Sequence, residues 1–350
     1  MKNGLLKLLV ALGPKKRFER QDEPRILIVS TTGLGDTLWA TPAVKALRKK
    51  YPKARIALLT SSTGNELFTN NPHLDEIFVV KSPTFFSAVK LLPTLRKGAF
   101  DTAYIFHLSQ RPVLPVISLA GPSKIIGTEG NNKGLDRLLT APIKRAPLHE
   151  IERRLKMIGC ENASPQMEIF LTEEETDASF ERSVASPLSV GIHPGAKDRF
   201  KRWNPKHFIA VGRKLVKEKG ASVLITGGAS EVELSERIAK EIPGAVSVAG
   251  KLSVRNLAAL IEKLDLFIAN DTGPMHLSLA MKTPTFALFS PTDPARCGPY
   301  KIDHGYVIQK PRSCNPCIQK KCLSPFCMEQ IAPSMVYEVI DAHLQTRRNR

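Results

Sequence analysis

Three short stretches carry residue types that could bind or act on a phosphorylated ligand. The first, STTGLGDTLWATP at residues 30–42, follows an apolar run and places a carboxylate, Asp36, where a helix begins. Loops that cradle phosphate offer backbone N–H groups and the positive end of a helix dipole, and a carboxylate there would repel the anion. Asp36 therefore calls for another explanation. One is that it caps the helix, since aspartate is among the best N-cap residues and suits the positive end of the dipole. Gly33 and Gly35 permit a tight turn and close backbone approach. The third glycine of a dinucleotide fingerprint would fall at Leu38, which argues against an NAD loop.

The second stretch is GIHPGAKDRFKRWNPKHF, residues 191–208. A Pro194-Gly195 turn leads into Lys197, Arg199, Lys201 and Arg202, and Pro205 suits a first helical position. Cations at the carboxyl end of a strand suit a pyrophosphate, and a solvated charged loop is the alternative. The third is LFIANDTGPMHLSLA, residues 266–280. An apolar strand ends at Asn270-Asp271, Thr272 can cap, Gly273 lets the backbone approach a ligand, and Pro274 starts a helix carrying His276. Free N–H groups at that helix start form a phosphate site. Asp271 beside it is a poor anion ligand and suits sugar hydroxyls. His276 alone reads equally as a packed core histidine.

Each stretch follows a predicted strand. In the first half, short apolar β-branched runs predict strands at residues 25–30, 55–60, 76–80, 102–106 and 124–127, with helices at 37–50 and 87–96. In the second half, strands are predicted at 189–193, 222–226, 245–248, 266–269 and 285–289, and helices at 205–219, 231–242, 253–263 and 274–280. Such alternation predicts an α/β chain of two doubly wound Rossmann-like domains. Their ligands are expected beyond the carboxyl ends of the strands, in a cleft between the lobes. The acidic stretch TEEETDASFERSVASP marks the junction, so the expected organisation is a leader at 1–23, domains at 24–172 and 188–332, a linker at 173–187 and a C-terminal helix and basic tail at 333–350.

Together the stretches resemble glycosyltransferase family 9, the bacterial ADP-heptose:lipopolysaccharide heptosyltransferases, over residues 25–336. GLGDTLWATPAVKALRKKYPKARI is similar to the family's first loop and helix, KRWNPKHF to its lysine-tryptophan motif, and NDTGPMHLSLAMKTPTFALFSPTDP to its donor signature. The resemblance implies a GT-B fold, with a lipid acceptor held mainly by the N-terminal lobe and a nucleotide sugar, ADP-heptose or similar, by the C-terminal one. It implies that Asp36 is the general base for an inverting attack on the anomeric carbon. Lys201, with the backbone N–H groups of Thr272 and Gly273, would stabilise the departing diphosphate. It further implies donor contacts from Gly195, Ala196, Glu231, Leu252, Asp271 and His276, and acceptor contacts from Gly35 and from Arg111 in HLSQR, whose wording departs from the family's commoner acidic-then-glycine form.

No Asp-x-Asp pair occurs in the sequence, so a reaction without a catalytic metal or other required cofactor is expected. Rival readings are a family member using another nucleotide sugar or acceptor, an NAD-dependent oxidoreductase, which the first glycine loop disfavours, and a non-catalytic anion-binding module. Cys314, Cys317, Cys322 and Cys327 in CNPCIQKKCLSPFC are spaced for a structural zinc, free thiols or disulfides, the last disfavoured in a reducing compartment. Cys160 and Cys297 stand apart.

The formal charge of +18 calls for anionic partners, either phosphorylated substrates or a membrane surface. Zinc-finger spacing, an RNA-binding aromatic signature and a long basic helix are all missing, so nucleic acid is not expected. The N-terminal MKNGLLKLLVALGPKKRFERQ is too short to span a bilayer and lacks the cleavage site of a secretory signal. Its apolar run from Leu5 to Leu12 and the cluster Lys15, Lys16 and Arg17 suit an amphipathic segment lying on an anionic membrane. A cytoplasmic protein, peripheral on the inner face of the cytoplasmic membrane, is expected. Deleting residues 1–20 should weaken binding to anionic vesicles and leave turnover on a soluble, deacylated acceptor unchanged. Each basic side chain near such a surface contributes about 1 kcal/mol, screened by salt, so binding by the intact chain should fall as salt rises. Equal vesicle binding with and without the segment would return the basic charge to substrate recognition alone.

Overall fold

The computed structural model describes Phe18 and residues 23–81, 85–107, 113–177, 186–315, 317–323 and 325–348. The chain divides into two compact units, Met1–Phe170 and Leu171–Arg350. The expected leader, apart from Phe18 and Glu23, lies outside the described residues, as does Arg111.

In the first unit, β1 (Arg25–Ser30), β2 (Arg55–Thr60), β3 (Glu76–Val79), β4 (Thr102–Ile105), β5 (Lys124–Thr128) and β6 (Ala141–Ile143) form one parallel sheet in the order β3-β2-β1-β4-β5-β6. Strands buried on both faces must be apolar at successive positions, which is why RILIVS and RIALLT read as strands. The single helix expected over residues 37–50 is instead two, Leu34–Leu38 and Thr41–Lys50. Pro42 supplies no N–H, and its ring would strike the carbonyl of Leu38 four residues back. The helix expected over 87–96 breaks in the same way into Phe85–Val89 and Leu92–Lys97, because Pro93 stands four residues after Val89. Helices Ser62–Phe68, Leu114–Ala120 and Glu150–Met157 and the edge strand β6 were not anticipated.

The second unit repeats the plan. β7 (Ser189–His193), β8 (Ser222–Ile225), β9 (Val246–Ser247), β10 (Leu266–Asn270), β11 (Thr285–Phe289) and β12 (Gly305–Gln309) form a parallel sheet in the order β12-β11-β10-β7-β8-β9. Helix Pro205–Lys219 is capped by Asn204, whose side chain accepts from Lys206 N at 3.0 Å, and ends at Gly220, left-handed at φ 64°. The C-terminal helix Pro333–Arg348 buries Val336, Tyr337 and Ile340 in the same core as Trp203 and Phe208. Part of the acidic stretch is the helix Glu173–Asp177, where Glu175 pairs with Arg255 and its carboxyl is pulled down to about 2 by that guanidinium. Among the described residues no helix is long and apolar enough to cross a membrane.

In each sheet the order reverses between the two central strands, β1 and β4 in one and β7 and β10 in the other. Crossovers leave the two to opposite sides, so their carboxyl ends open a crevice. Packing behind the second crevice is tight at Gly191, where an added Cβ would lie 2.5 Å from Phe267 Cδ2 and 2.6 Å from Leu264 Cδ1. Gly191→Ala should destabilise by about 1–3 kcal/mol through overpacking, seen as a lower denaturant midpoint at unchanged slope. A wild-type midpoint would mean that those side chains yield freely.

Candidate functional site

Beyond β1 the chain turns at Gly33, the N-cap of helix Leu34–Leu38, with Asp36 in the first turn. That placement overturns the capping alternative for Asp36. A first-turn carboxylate favours the dipole, but no side chain caps this helix. Gly33 has an ordinary φ of −66° and nothing within 4 Å of a built Cβ, so the turn does not require glycine and the space beside it is open. Gly35 lies next to Asp36 in the same turn.

Asp36 Oδ2 accepts from the Thr32 hydroxyl at 2.9 Å, and Thr32 Oγ1 lies 2.8 Å from His107 Nδ1. His107 follows β4, so the two central strands bring these groups together. Helix Glu150–Met157, begun by His149 accepting from Ile151 N at 3.1 Å, sets a charged cluster behind them. Glu150 Oε2 accepts from Arg153 Nη2 at 2.8 Å and from Arg154 Nη1 at 2.7 Å. Arg153 also donates to Thr128 Oγ1 at 3.2 Å and to the Phe106 carbonyl. Arg154 donates to the Asp36 carbonyl at 3.3 Å and sits 5.6 Å over the Trp39 ring.

Burial and the Arg153 charge bring Arg154 down to about 10. Burial raises the Glu150 carboxyl, but Arg154 and Arg153 outweigh it and hold it below the usual range. Burial, then Arg154 and Arg153, hold the His107 imidazole well below its ordinary value. Sequence reasoning missed this group. EIERRLKM is mostly charged and carries no mark of burial, and His107 in FHLSQR is a lone histidine near Arg111, the residue the resemblance marks.

In the second unit, Asn270 at the end of β10 ties down the loop after β7. Its amide donates to the carbonyls of Pro194 at 2.8 Å and Gly195 at 3.3 Å and accepts from Trp203 N at 3.0 Å. Trp203 Nε1 donates to the Ile331 carbonyl at 2.8 Å, and Arg202 Nε to that of Ala196 at 2.7 Å. The loop so held puts Lys201 Nζ 2.6 Å from Asp271 Oδ2, which also accepts from Thr292 Oγ1 at 2.6 Å. Thr272 occupies the N-cap of helix Gly273–Ala280 without a side-chain cap bond, so the expected hydroxyl cap is not formed there. His276 is buried in that helix. Cys297 stays a thiol, pushed up to about 12 by burial and by Asp271 against the pull of Lys201.

Glu231 joins the loop from the next crossover. Its Oε2 accepts from Gly228 N at 2.9 Å, and a Cβ on Gly195 would fall 1.9 Å from its Oε1, so glycine is needed for that approach. Leu252 is half-buried just before helix Val254–Glu262. The structure thus brings together Gly195 with Glu231, and Lys201 with Asp271 beside Thr272 and Gly273.

The zinc arrangement considered for Cys314, Cys317, Cys322 and Cys327 is not formed. All are free, with Cys314 exposed and Cys327 buried, and among the described residues no three His, Cys, Asp or Glu side chains gather into a ligand set.

His193, at the end of β7, has Nδ1 3.0 Å from Thr226 Oγ1 and Nε2 3.7 Å from Glu231 Oε2. Burial lowers it to about 4, against the opposing pull of Glu231. The unfolded chain takes up that proton near pH ~6.5, before the folded one does. The stability is therefore complete above that pH and lost as pH falls toward the folded value. The melting temperature should drop between pH 7 and pH 5, and drop less in His193→Gln. Parallel curves for the two proteins would assign the loss to other groups.

The sequence profile of a family described as Glycosyltransferase family 9 (heptosyltransferase) matches residues 113–326. Lipooligosaccharide heptosyltransferase 2 of Campylobacter jejuni is 27% identical over 329 residues, 90% of this chain and 96% of that protein. Lipopolysaccharide heptosyltransferase 3 of Escherichia coli K12 is 28% identical over 289 residues, 74% of this chain and 80% of that one. The solved structure of E. coli ADP-heptose lps heptosyltransferase II superposes with a TM-score of 0.75 at 20% identity, covering 92% of this chain and 99% of that one. This last likeness carries the fold, and the expected GT-B class of two doubly wound units is borne out.

Proposed function

The chain belongs to glycosyltransferase family 9, and from that premise we propose that it transfers heptose from ADP-heptose to the inner core of lipopolysaccharide, with inversion and without a catalytic metal. Asp36 removes the proton of the acceptor hydroxyl as its oxygen attacks the anomeric carbon from the side opposite the leaving group. The bond to the diphosphate breaks and its electron pair goes to the departing ADP. Lys201 and the N–H groups at the start of helix Gly273–Ala280 meet that charge, as preorganised donors do where charge develops. The same cation and helix end stand where other enzymes use a divalent ion.

Gly195 and Ala196 line the phosphate, Glu231 holds the ribose, Leu252 the adenine, and Asp271, Thr272, Gly273 and His276 complete the donor site. Gly35 and Arg111 serve the acceptor. The protein works in the cytoplasm at the inner membrane face, where its lipid acceptor resides.

The observation that most supports the reading is the 2.6 Å ion pair of Lys201 and Asp271 immediately before that helix. An incoming diphosphate would find the cation already oriented. Groups that bind diphosphate do not read the sugar, so a member of the same class using another nucleotide sugar or core acceptor is the second reading.

A panel of nucleotide sugars incubated with truncated lipopolysaccharides in EDTA, with products identified by mass spectrometry, tests both readings. Transfer from ADP-heptose alone is expected, and no product with any core acceptor would overturn the proposal. Asp36→Asn should cut turnover by about 10²–10⁴-fold, the worth of a positioned base, while ADP still binds.

A further inference from the structure

We propose that Thr32 and His107 are positioning residues for Asp36, forming a one-directional hydrogen-bond chain that holds Oδ2 of the carboxylate and turns Oδ1 to the acceptor hydroxyl. This inference rests on the reading of Asp36 as the base and specifies how that base is held.

The direction of the chain follows from counting protons. An ionised carboxylate only accepts, and a threonine hydroxyl has a single hydrogen to give. The 2.9 Å bond from Thr32 Oγ1 to Asp36 Oδ2 uses that hydrogen. His107 presents both ring nitrogens to the same oxygen, Nδ1 at 2.8 Å and Nε2 at 3.3 Å, and because the hydroxyl hydrogen is already spent the imidazole must donate there, with Nδ1–H the better placed at the shorter distance. Burial first, and then the guanidinium groups of Arg154 and Arg153, keep it neutral, since a third positive charge in the same pocket is opposed.

His107 is therefore a poor destination for the proton that Asp36 removes. Nδ1 already carries a hydrogen, and an imidazolium would face both arginines. The proton stays on Asp36, and the chain orients the base without relaying from it. The anchor is fixed from behind as well. The Thr32 carbonyl accepts from Thr37 Oγ1 at 3.3 Å and Ser61 Oγ at 3.4 Å, and the Asp36 carbonyl accepts from Arg154 at 3.3 Å. A carboxylate tied by one oxygen to Thr32, itself held by His107, with the two following the two central strands, keeps its second oxygen on a defined bearing, which suits a near-attack geometry.

The test uses the full-length protein with ADP-heptose and a truncated lipopolysaccharide acceptor. Thr32→Val keeps the shape and removes the hydroxyl. It should lower kcat by about 10- to 100-fold, as expected for one lost hydrogen bond to a charged group, with acceptor KM, ADP affinity and melting temperature little changed. Thr32→Ser should restore most of the rate. His107→Asn, which keeps an N–H near the Nδ1 position, should retain more activity than His107→Leu. Adding Thr32→Val to Asp36→Asn should cost nothing further, because the two act as one unit.

Wild-type kcat in Thr32→Val beside an inactive Asp36→Asn would overturn the chain while leaving the base in place. Near-normal turnover in Asp36→Asn would overturn the base reading and the chain with it. A Thr32→Val rate loss matched by lost ADP binding or a lowered melting temperature, and not repaired by serine, would mean a merely structural threonine. Should His107→Leu fail to fold, the Thr32 pair decides alone.

Discussion

An all-parallel sheet covered on both faces offers polar groups for a ligand only where its strands end, and that constraint organises both halves of this chain. Each sheet reverses its strand order between two central strands, and the contacts Thr32–His107 and Lys201–Asp271 each join the two loops that follow such strands. Thr32 and Asp36 follow β1 and His107 follows β4. Lys201 follows β7 and Asp271 follows β10. Chemistry is thereby tied to the most deeply buried strands, whose ladder hydrogen bonds and apolar faces leave the least freedom to drift.

Loops at such edges need anchoring, and the two units achieve it differently. In the second, the neutral amide of Asn270 satisfies two carbonyls and one N–H of the basic loop, while Trp203 drives the loop's far end into the core beneath the C-terminal helix. In the first, the anchor is ionic. Arg154 is fully buried and Arg153 nearly so, with Glu150 as their shared carboxylate. Such clusters are costly to desolvate and are weak sources of stability. Here the cluster also sets the local field, because one carboxylate cannot offset two guanidinium groups. The neighbouring imidazole, kept neutral first by burial, is held so further by that field, and Arg154 reaches the backbone of the turn that carries Asp36.

Much of the architecture was legible in residue order. Strands buried on both faces leave short apolar β-branched runs, and the sequence analysis found ten of the elements in the two sheets from these alone. Two of the four edge strands escaped it, while β3 and β9 were found. API in β6 and GYVIQ in β12 are only partly buried, so nothing forces a continuous apolar run. The helix breaks before Pro42 and Pro93 were visible in principle, since a proline ends a helix four residues earlier by a local clash. There the apolar spacing was followed across a backbone that could not continue.

At the sites, the division has the same origin. Asp36, Lys201 and Asp271 stand out because each is a charged residue in a short run after a strand, a pattern local in the chain. Thr32 is also local to Asp36, yet a hydroxyl among three threonines in STTGLGDT carries no mark of its own. Its partner His107 lies 75 residues away, and the arginines that add to burial in keeping that imidazole neutral lie more than a hundred residues from Asp36. Local pattern records which backbone turns and charges recur near one another along the chain. Hydrogen-bond partners, tautomer and burial of charge depend on which strand lies beside which, and that is settled when the sheet assembles, through contacts no short stretch contains.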